Sequence, residues 1–240
     1  MKKLLIVFFA LLVGATLAVP QAAMAQAQPA RSLEDVLKLM DQHARDFRTL
    51  ETDFVWDQYQ SVVDEHDIQK GTMYFQRTAQ GIEMKADIDA MPKKYVLFTG
   101  GDVQVYEYKP GGIDRVTRYS AGKNRAAFES LLVLGFGGSG HDLLKSFEVK
   151  FAATEDANGV ANTYRLDLTP KSERIRGMFQ TIVLWIDPAR GISVQQKLIE
   201  PKSGDYRLAK YSNVRMNAKL PDDVFNLKTT SKTEFITPKQ

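Results

Sequence analysis

The chain has 240 residues, 32 Lys and Arg against 29 Asp and Glu, a formal net charge of +3 and no cysteine. The missing cysteine excludes disulfides, thiol nucleophiles and lipid attachment at a processing-site cysteine, so the fold must rest on burial alone. Lys2 and Lys3 supply two of the charges and residues 1–25 hold no acid, which leaves the rest close to +1 and argues against a nucleic-acid partner.

The chain opens with the three parts of a secretory signal: Lys2 and Lys3, an apolar run from Leu4 to Ala18, and the small-x-small site Ala23-Met24-Ala25. The run is only about 15 residues, short of the roughly 20 that span a bilayer. The expectation is a signal peptide of residues 1–25, cleaved to leave Gln26, with residues 26–240 released as one soluble domain in the periplasm.

Ser32 then stands as a helix N-cap, with Glu34 and Asp35 in the first turn. Leu33, Val36, Leu37, Met40, Ala44, Phe47 and Leu50 recur at three and four, which predicts one amphipathic helix of about five turns. From Thr52 the period drops to two. Residues 52–62, 71–77, 82–87, 95–99, 103–108 and 114–119 read as strands, parted by turns at Gln80-Gly81, Gly100-Gly101-Asp102 and Lys109-Pro110-Gly111-Gly112.

Residues 124–134 and 142–147 are helical in composition, and the four glycines of 135–140 between them read as a hinge. Strands resume at 147–152, 163–169, 179–186, 194–200 and 206–214, and 223–227 offers a last short one. These parts predict an α+β fold: a single curved antiparallel sheet of about eleven strands with helices on one side.

Catalytic groups do not converge in this sequence. His43, His66 and His141 fall on a helix, a turn and the glycine-rich loop, without the spacing of metal ligands, and each reads as a surface histidine. No Ser sits in a GxSxG elbow, and the glycines of 135–140 lack the Lys-Ser/Thr of a phosphate loop. Asp64-Glu65 and Asp222-Asp223 lie in turn-like segments. No enzyme, cofactor or metal is expected.

The informative feature is apolar alternation. Met73, Phe75 and Arg77 share one face of their strand, Ile82, Met84 and Ala86 another, and Phe54 and Trp56 a third. Such faces line either a solid core or a cavity, because a sheet this broad exceeds what one helix covers. Met suits an adaptable pocket and also fills core gaps. Arg77, at the end of an apolar face, needs a partner or an opening.

The order of parts resembles the periplasmic outer-membrane lipoprotein carrier, the LolA-type family, over essentially the whole chain after the signal. The matching segments are the strand around Phe54, Gly71-Thr72-Met73-Tyr74-Phe75-Gln76-Arg77, the hairpin from Tyr95 to Pro110, Ile182 to Ile186 with Asp187, and Phe225. Thr78 stands where the family usually has Pro, and Val105-Tyr106-Glu107-Tyr108 holds no Trp.

The resemblance implies an incomplete β-barrel with a helical lid, whose cavity shields the acyl chains of lipoproteins or related lipids in transit between membranes. It places Phe54, Trp56, Met73, Phe75 and Met84 at the cavity. It makes Arg77 the latch of a lid at 124–134 that carries Leu131, Leu132 and Leu134, with 135–140 allowing movement. It also implies an inner-membrane lipoprotein-releasing ABC transporter and an outer-membrane acceptor as partners of a monomer. A second reading is an envelope lipid or lipoprotein sensor or adaptor on the same fold.

Overall fold

A computed structural model describes residues 32–109, 111–120, 131 and 134–238. The expected signal segment lies outside the described residues, as does most of the expected lid, Leu132 included.

Helix α1 (Leu33–Asp46) begins where expected: the Ser32 side chain accepts a hydrogen bond from the Asp35 amide at 3.3 Å, satisfying one of the free first-turn donors. Its apolar stripe buries Val36, Leu37 and Met40, each burial worth roughly 1.5–3 kcal/mol. The helix stops one turn short of the expected end. Asn217, from the far end of the chain, accepts from the Arg48 amide at 2.8 Å and donates to the Asp46 carbonyl at 2.9 Å. Phe47 and Leu50 are buried as the stripe predicts, but Leu50 already belongs to a strand.

The sheet has twelve strands: β1 (Thr49–Gln60), β2 (Glu65–Thr78), β3 (Gly81–Ile88), β4 (Lys94–Thr99), β5 (Asp102–Glu107), β6 (Arg115–Ser120), β7 (Phe147–Ala157), β8 (Val160–Pro170), β9 (Thr181–Ile186), β10 (Ser193–Ile199), β11 (Tyr206–Met216) and β12 (Glu234–Ile236). Their order is β12-β6-β5-β4-β3-β2-β1-β11-β10-β9-β8-β7, antiparallel except for β12 on β6. The β1–β11 pairing joins the two halves, and the edges at β12 and β7 stay apart, so the sheet is an incomplete barrel.

The predicted strand at 223–227 is instead a turn, and the last strand lies at β12. Helix α2 (Gly140–Ser146) precedes β7, and helix α3 (Glu173–Met178), which the sequence reading missed, occupies part of the β8–β9 connection. His141 lies in α2, and His66 lies in β2 where a turn was expected.

Two buried clusters fill the concave face. One packs Val36, Leu37 and Met40 of α1 on Leu166, Leu168, Ile182, Leu184 and Ile186. The other gathers Phe47, Leu50, Phe54, Met73, Phe75, Met84 and Phe136. The chain after β11 returns across the convex face, where Pro221, Val224 and Leu227 meet Tyr74, Tyr95 and Tyr106. No helix among the described residues is long and apolar enough to cross a membrane.

Candidate functional site

Register decides which side chains share the concave face. Phe54 lies opposite Gly71 and Tyr211, Trp56 opposite Gln69 and Ala209, and Gln58 opposite Asp67 and Arg207. Met73 pairs with Ala86, Phe75 with Met84, and Ala209 with Gln196. Where α1 does not reach, these rows enclose a cavity of about 670 Å³, a volume within the range of ordinary ligand sites. Its deep wall is Trp56, Met73, Met84, Val96, Phe136 and Leu198. Asp57, Asp67, Lys94, Glu200 and Arg207 carry both signs of charge at the strand ends beside it.

Of the residues expected at the cavity, Trp56, Met73 and Met84 line it, and so does Leu131, which was expected on the lid. Phe54 and Phe75 do not. They are 2% and 0% exposed, packed behind the wall against Trp56 at 4.3 Å and against Phe136 at 4.9 Å respectively. They share the face that alternation assigns them but lie nearer α1, whose C-cap Phe47 joins the same cluster. Leu134 is also displaced from its expected position over the cavity: it is buried in the cluster beneath α1.

Phe136 was not anticipated. It is 1% exposed, stacked on Phe75 and edge-on to Tyr211 at 4.6 Å, and it lines the cavity. A single aromatic flanked by Gly135 and Gly137 is the signal that marks it, since its neighbours are pared down to let the ring in.

Arg77 reaches three backbone carbonyls: Nε donates to Phe47 at 3.2 Å, and Nη2 to Ala44 at 3.4 Å and to Gly137 at 2.5 Å. It therefore ties β2 both to the C-terminal end of α1, where a cation is favoured, and to the Phe136 segment. Gln196 holds the same segment from the other side, donating from Nε2 to the Leu134 carbonyl at 2.5 Å and accepting from the Tyr211 hydroxyl at 3.2 Å. Burial pushes the Tyr211 phenol above its ordinary pKa, so it stays a neutral donor.

Three of the glycines of 135–140, expected as a hinge, are closely packed. A Cβ on Gly137 would fall 2.4 Å from the Phe47 ring, on Gly140 2.4 Å from the Leu37 carbonyl oxygen, and on Gly135 2.5 Å from Ser193 Cβ. Leu134 to Gly137 are all buried. Glycine is used here for close approach.

His141 is a further correction, for it is not a solitary surface residue. Its Nδ1 meets Asp41 Oδ2, its Nε2 lies 3.3 Å from Glu34 Oε2, and Ser139 Oγ donates to Asp41 at 2.5 Å, so α2 is fastened to α1. The hydrogen bond to Asp41 raises the His141 pKa, with Glu34 adding to it against desolvation. None of the three histidines lines the cavity, and the described residues contain no cluster of three or more His, Asp or Glu placed to hold a metal.

The open sheet order, the N-terminal helix and the concave cavity together make an incomplete β-barrel with one apolar binding face. No protein-family model and no curated protein matches the sequence. Among solved structures, an uncharacterized conserved protein from Thermus thermophilus is similar with a TM-score of 0.54 and 7% identity, covering 85% of this chain and 98% of that one. MucB is similar with a TM-score of 0.50 and 12% identity, covering 83% of this chain; the chain spans only 63% of MucB. A LolA superfamily protein from Nitrosomonas europaea has a TM-score of 0.41 and 12% identity, covering 82% of this chain and 99% of that one.

Proposed function

We propose that the cavity holds the acyl chains of a lipoprotein or related lipid, and that the protein is a periplasmic carrier shuttling them from inner to outer membrane. The observation that carries this reading is the cavity itself: a wall of Trp56, Met73, Met84 and Phe136 beneath strand ends bearing both charges. That arrangement suits long apolar tails with a polar head at the mouth. At about 0.8 kcal/mol per buried CH₂, ten methylenes contribute about 8 kcal/mol, comparable to a whole domain's stability.

In this reading residues 1–25 are a cleaved signal and 26–240 the binding domain. Phe54 and Phe75 back the wall, Arg77 latches the Phe136 segment, and Leu131, Leu132 and Leu134 belong to or anchor the cover. An inner-membrane ABC transporter loads the carrier and an outer-membrane acceptor unloads it. No step is enzymatic.

The test is titration of the delipidated protein with a fluorescent long-chain fatty acid. Saturable uptake is expected, reduced at least tenfold by Met84→Arg, which places a charge in the apolar wall at a cost of several kcal/mol. Absence of uptake by the native protein contradicts the reading.

A second reading, an envelope sensor or adaptor, is favoured by the likeness to MucB, which has also been solved in complex with MucA. Pull-down from envelope extracts separates the two: a carrier recovers lipoproteins, whereas a sensor recovers a membrane regulator.

A further inference from the structure

Antiparallel pairing gathers five connections at one end of the sheet. Tyr59 lies opposite His66 and Tyr206, Ile88 opposite Lys94, Lys94 opposite Glu107, and Thr181 opposite Ile199. The β1–β2, β3–β4, β5–β6, β8–β9 and β10–β11 connections therefore all fall together. Asp67, Lys94, Glu200, Arg207 and Met178, which line the cavity, stand at this same end, so it is the end at which the cavity opens.

Exposed apolar side chains are distributed unequally between the two ends. Val62, Val63, Met91, Tyr108, Ile113 and Met178 all stand in connections at the cavity end, with Val62 89% and Met91 101% exposed. The β2–β3, β4–β5, β7–β8 and β9–β10 connections at the opposite end carry no exposed large apolar residue among those described. The β1–β2 tip is also held in place. Ser61 donates from its amide and hydroxyl to Asp205 at 2.8 Å each, and Tyr59 donates to Asp64 at 3.0 Å. Val62 and Val63 are thus presented to solvent on a clamped turn, with no packing role to account for them.

We infer that this end docks on the surface of a lipid bilayer, with the aliphatic side chains of its turns entering the headgroup–acyl boundary. The aliphatic groups stand on separate connections with charged residues between them, such as Asp64, Asp89 and Lys93. That spacing lacks the contiguous aromatic and Arg-rich centre by which protein interfaces bind. A fluid bilayer accepts separate insertions, each contributing by its own buried area, while Lys93 keeps its charge in the headgroups. Acidic and basic residues alternate around the mouth, so attraction to anionic lipid is not the driving term. For its purpose the docking rests on the acyl-chain reading, because it sets the cavity mouth against a source of acyl chains. Its test does not use the cavity.

The experiment is flotation of the full chain with vesicles of phosphatidylethanolamine and phosphatidylglycerol. The native protein is expected to float with the vesicles and to remain bound in roughly 0.5 M salt, where surface charge is screened. The Val62→Asp/Met91→Asp double variant loses roughly tenfold or more in partitioning, since both insertions are removed. Tyr119→Asp, changing a side chain 49% exposed at the opposite end of β6, where it pairs with Val103, leaves partitioning unchanged. All these sites are solvent-facing, and unchanged thermal unfolding verifies the fold.

Failure of the native protein to bind, release by salt, or an equal loss in Tyr119→Asp overturns the inference. Uptake of a fluorescent fatty acid from free solution, measured in parallel, is expected to survive in the double variant. Absence of uptake by the native protein counts against the acyl-chain reading alone.

Discussion

Replacing Phe136 by Ala removes the ring that fills the inner end of the cavity. Phe→Ala in a core costs about 3–5 kcal/mol, and two aromatic pairs are lost here, with Phe75 at 4.9 Å and with Tyr211 at 4.6 Å, each worth about 0.5–1.5 kcal/mol beyond area. Against this, the vacated space is continuous with an existing opening of about 670 Å³, so no sealed void is made. The lower figure applies, about 3 kcal/mol, which lowers Tm by about 6–12 °C for a domain of this size. The assay is thermal unfolding by circular dichroism with and without a fluorescent long-chain fatty acid. A ligand that fills the space left by the ring binds the variant at least as tightly as the native protein and narrows the Tm deficit. A Tm change below about 2 °C would refute the packing of Phe136 on which this estimate is built. Weaker binding by the variant would show that the ligand needs the aromatic face of this wall residue and not only the space beside it.

Arg77→Leu keeps the bulk of the side chain and removes its three bonds to the carbonyls of Phe47, Ala44 and Gly137. Charge-assisted bonds of about 1.5–3 kcal/mol are discounted for solvent exposure to about 1–2 kcal/mol in total, so amide exchange at Gly137 should speed up about 5- to 30-fold. Unchanged exchange refutes the latch. Gly140→Ala would raise stability by about 1 kcal/mol in an ordinary helix, but its Cβ meets the Leu37 backbone at 2.4 Å, so a loss of about 1–3 kcal/mol is expected in denaturant titration. A gain would contradict the α1–α2 contact.

His141 has a pKa raised from 6.5 by Asp41 and then Glu34, so its contribution is fully present below pH 6.5 and fades as pH rises through the raised folded value. The Asp41 and Glu34 carboxyls are lowered from 3.8 and 4.5, so their contribution is present above those values and lost as acid protonates them. For Asp41 desolvation opposes the shift and is outweighed by the bonds from Ser139 and His141; for Glu34 the Lys38 contact leads. Stability therefore peaks between about pH 4.5 and 6.5, and His141→Asn should flatten the decline above pH 6.5 in Tm measurements. An undiminished decline in that variant would assign it to another group.

The sequence made the strands legible because alternation of Met73, Phe75 and Arg77, or of Ile82, Met84 and Ala86, fixes a face wherever one side is buried. It could not end α1, since Phe47 and Leu50 fit the helical stripe and the strand equally, and the deciding cap comes from Asn217. It separated wall from core only partly. Trp56 and Phe54 share one face, and depth along the strand, which alternation does not encode, puts Trp56 on the wall and Phe54 behind it. Glycines read the same whether they serve movement or close approach, and only the fold brings Phe47, Leu37 and Ser193 against those of 135–140. His141 finds Asp41 about one hundred residues away, a pairing with no local signal. Helix α3 has only six residues, too few for a helical period to register.

The central claim, that the cavity carries acyl chains, is tested most directly by native mass spectrometry of the protein isolated from its own envelope without detergent. The account predicts a mass above that of the chain, released on denaturation as an acylated lipid or lipoprotein. The chain mass alone, with no uptake of a fluorescent long-chain fatty acid by the same preparation, would contradict it.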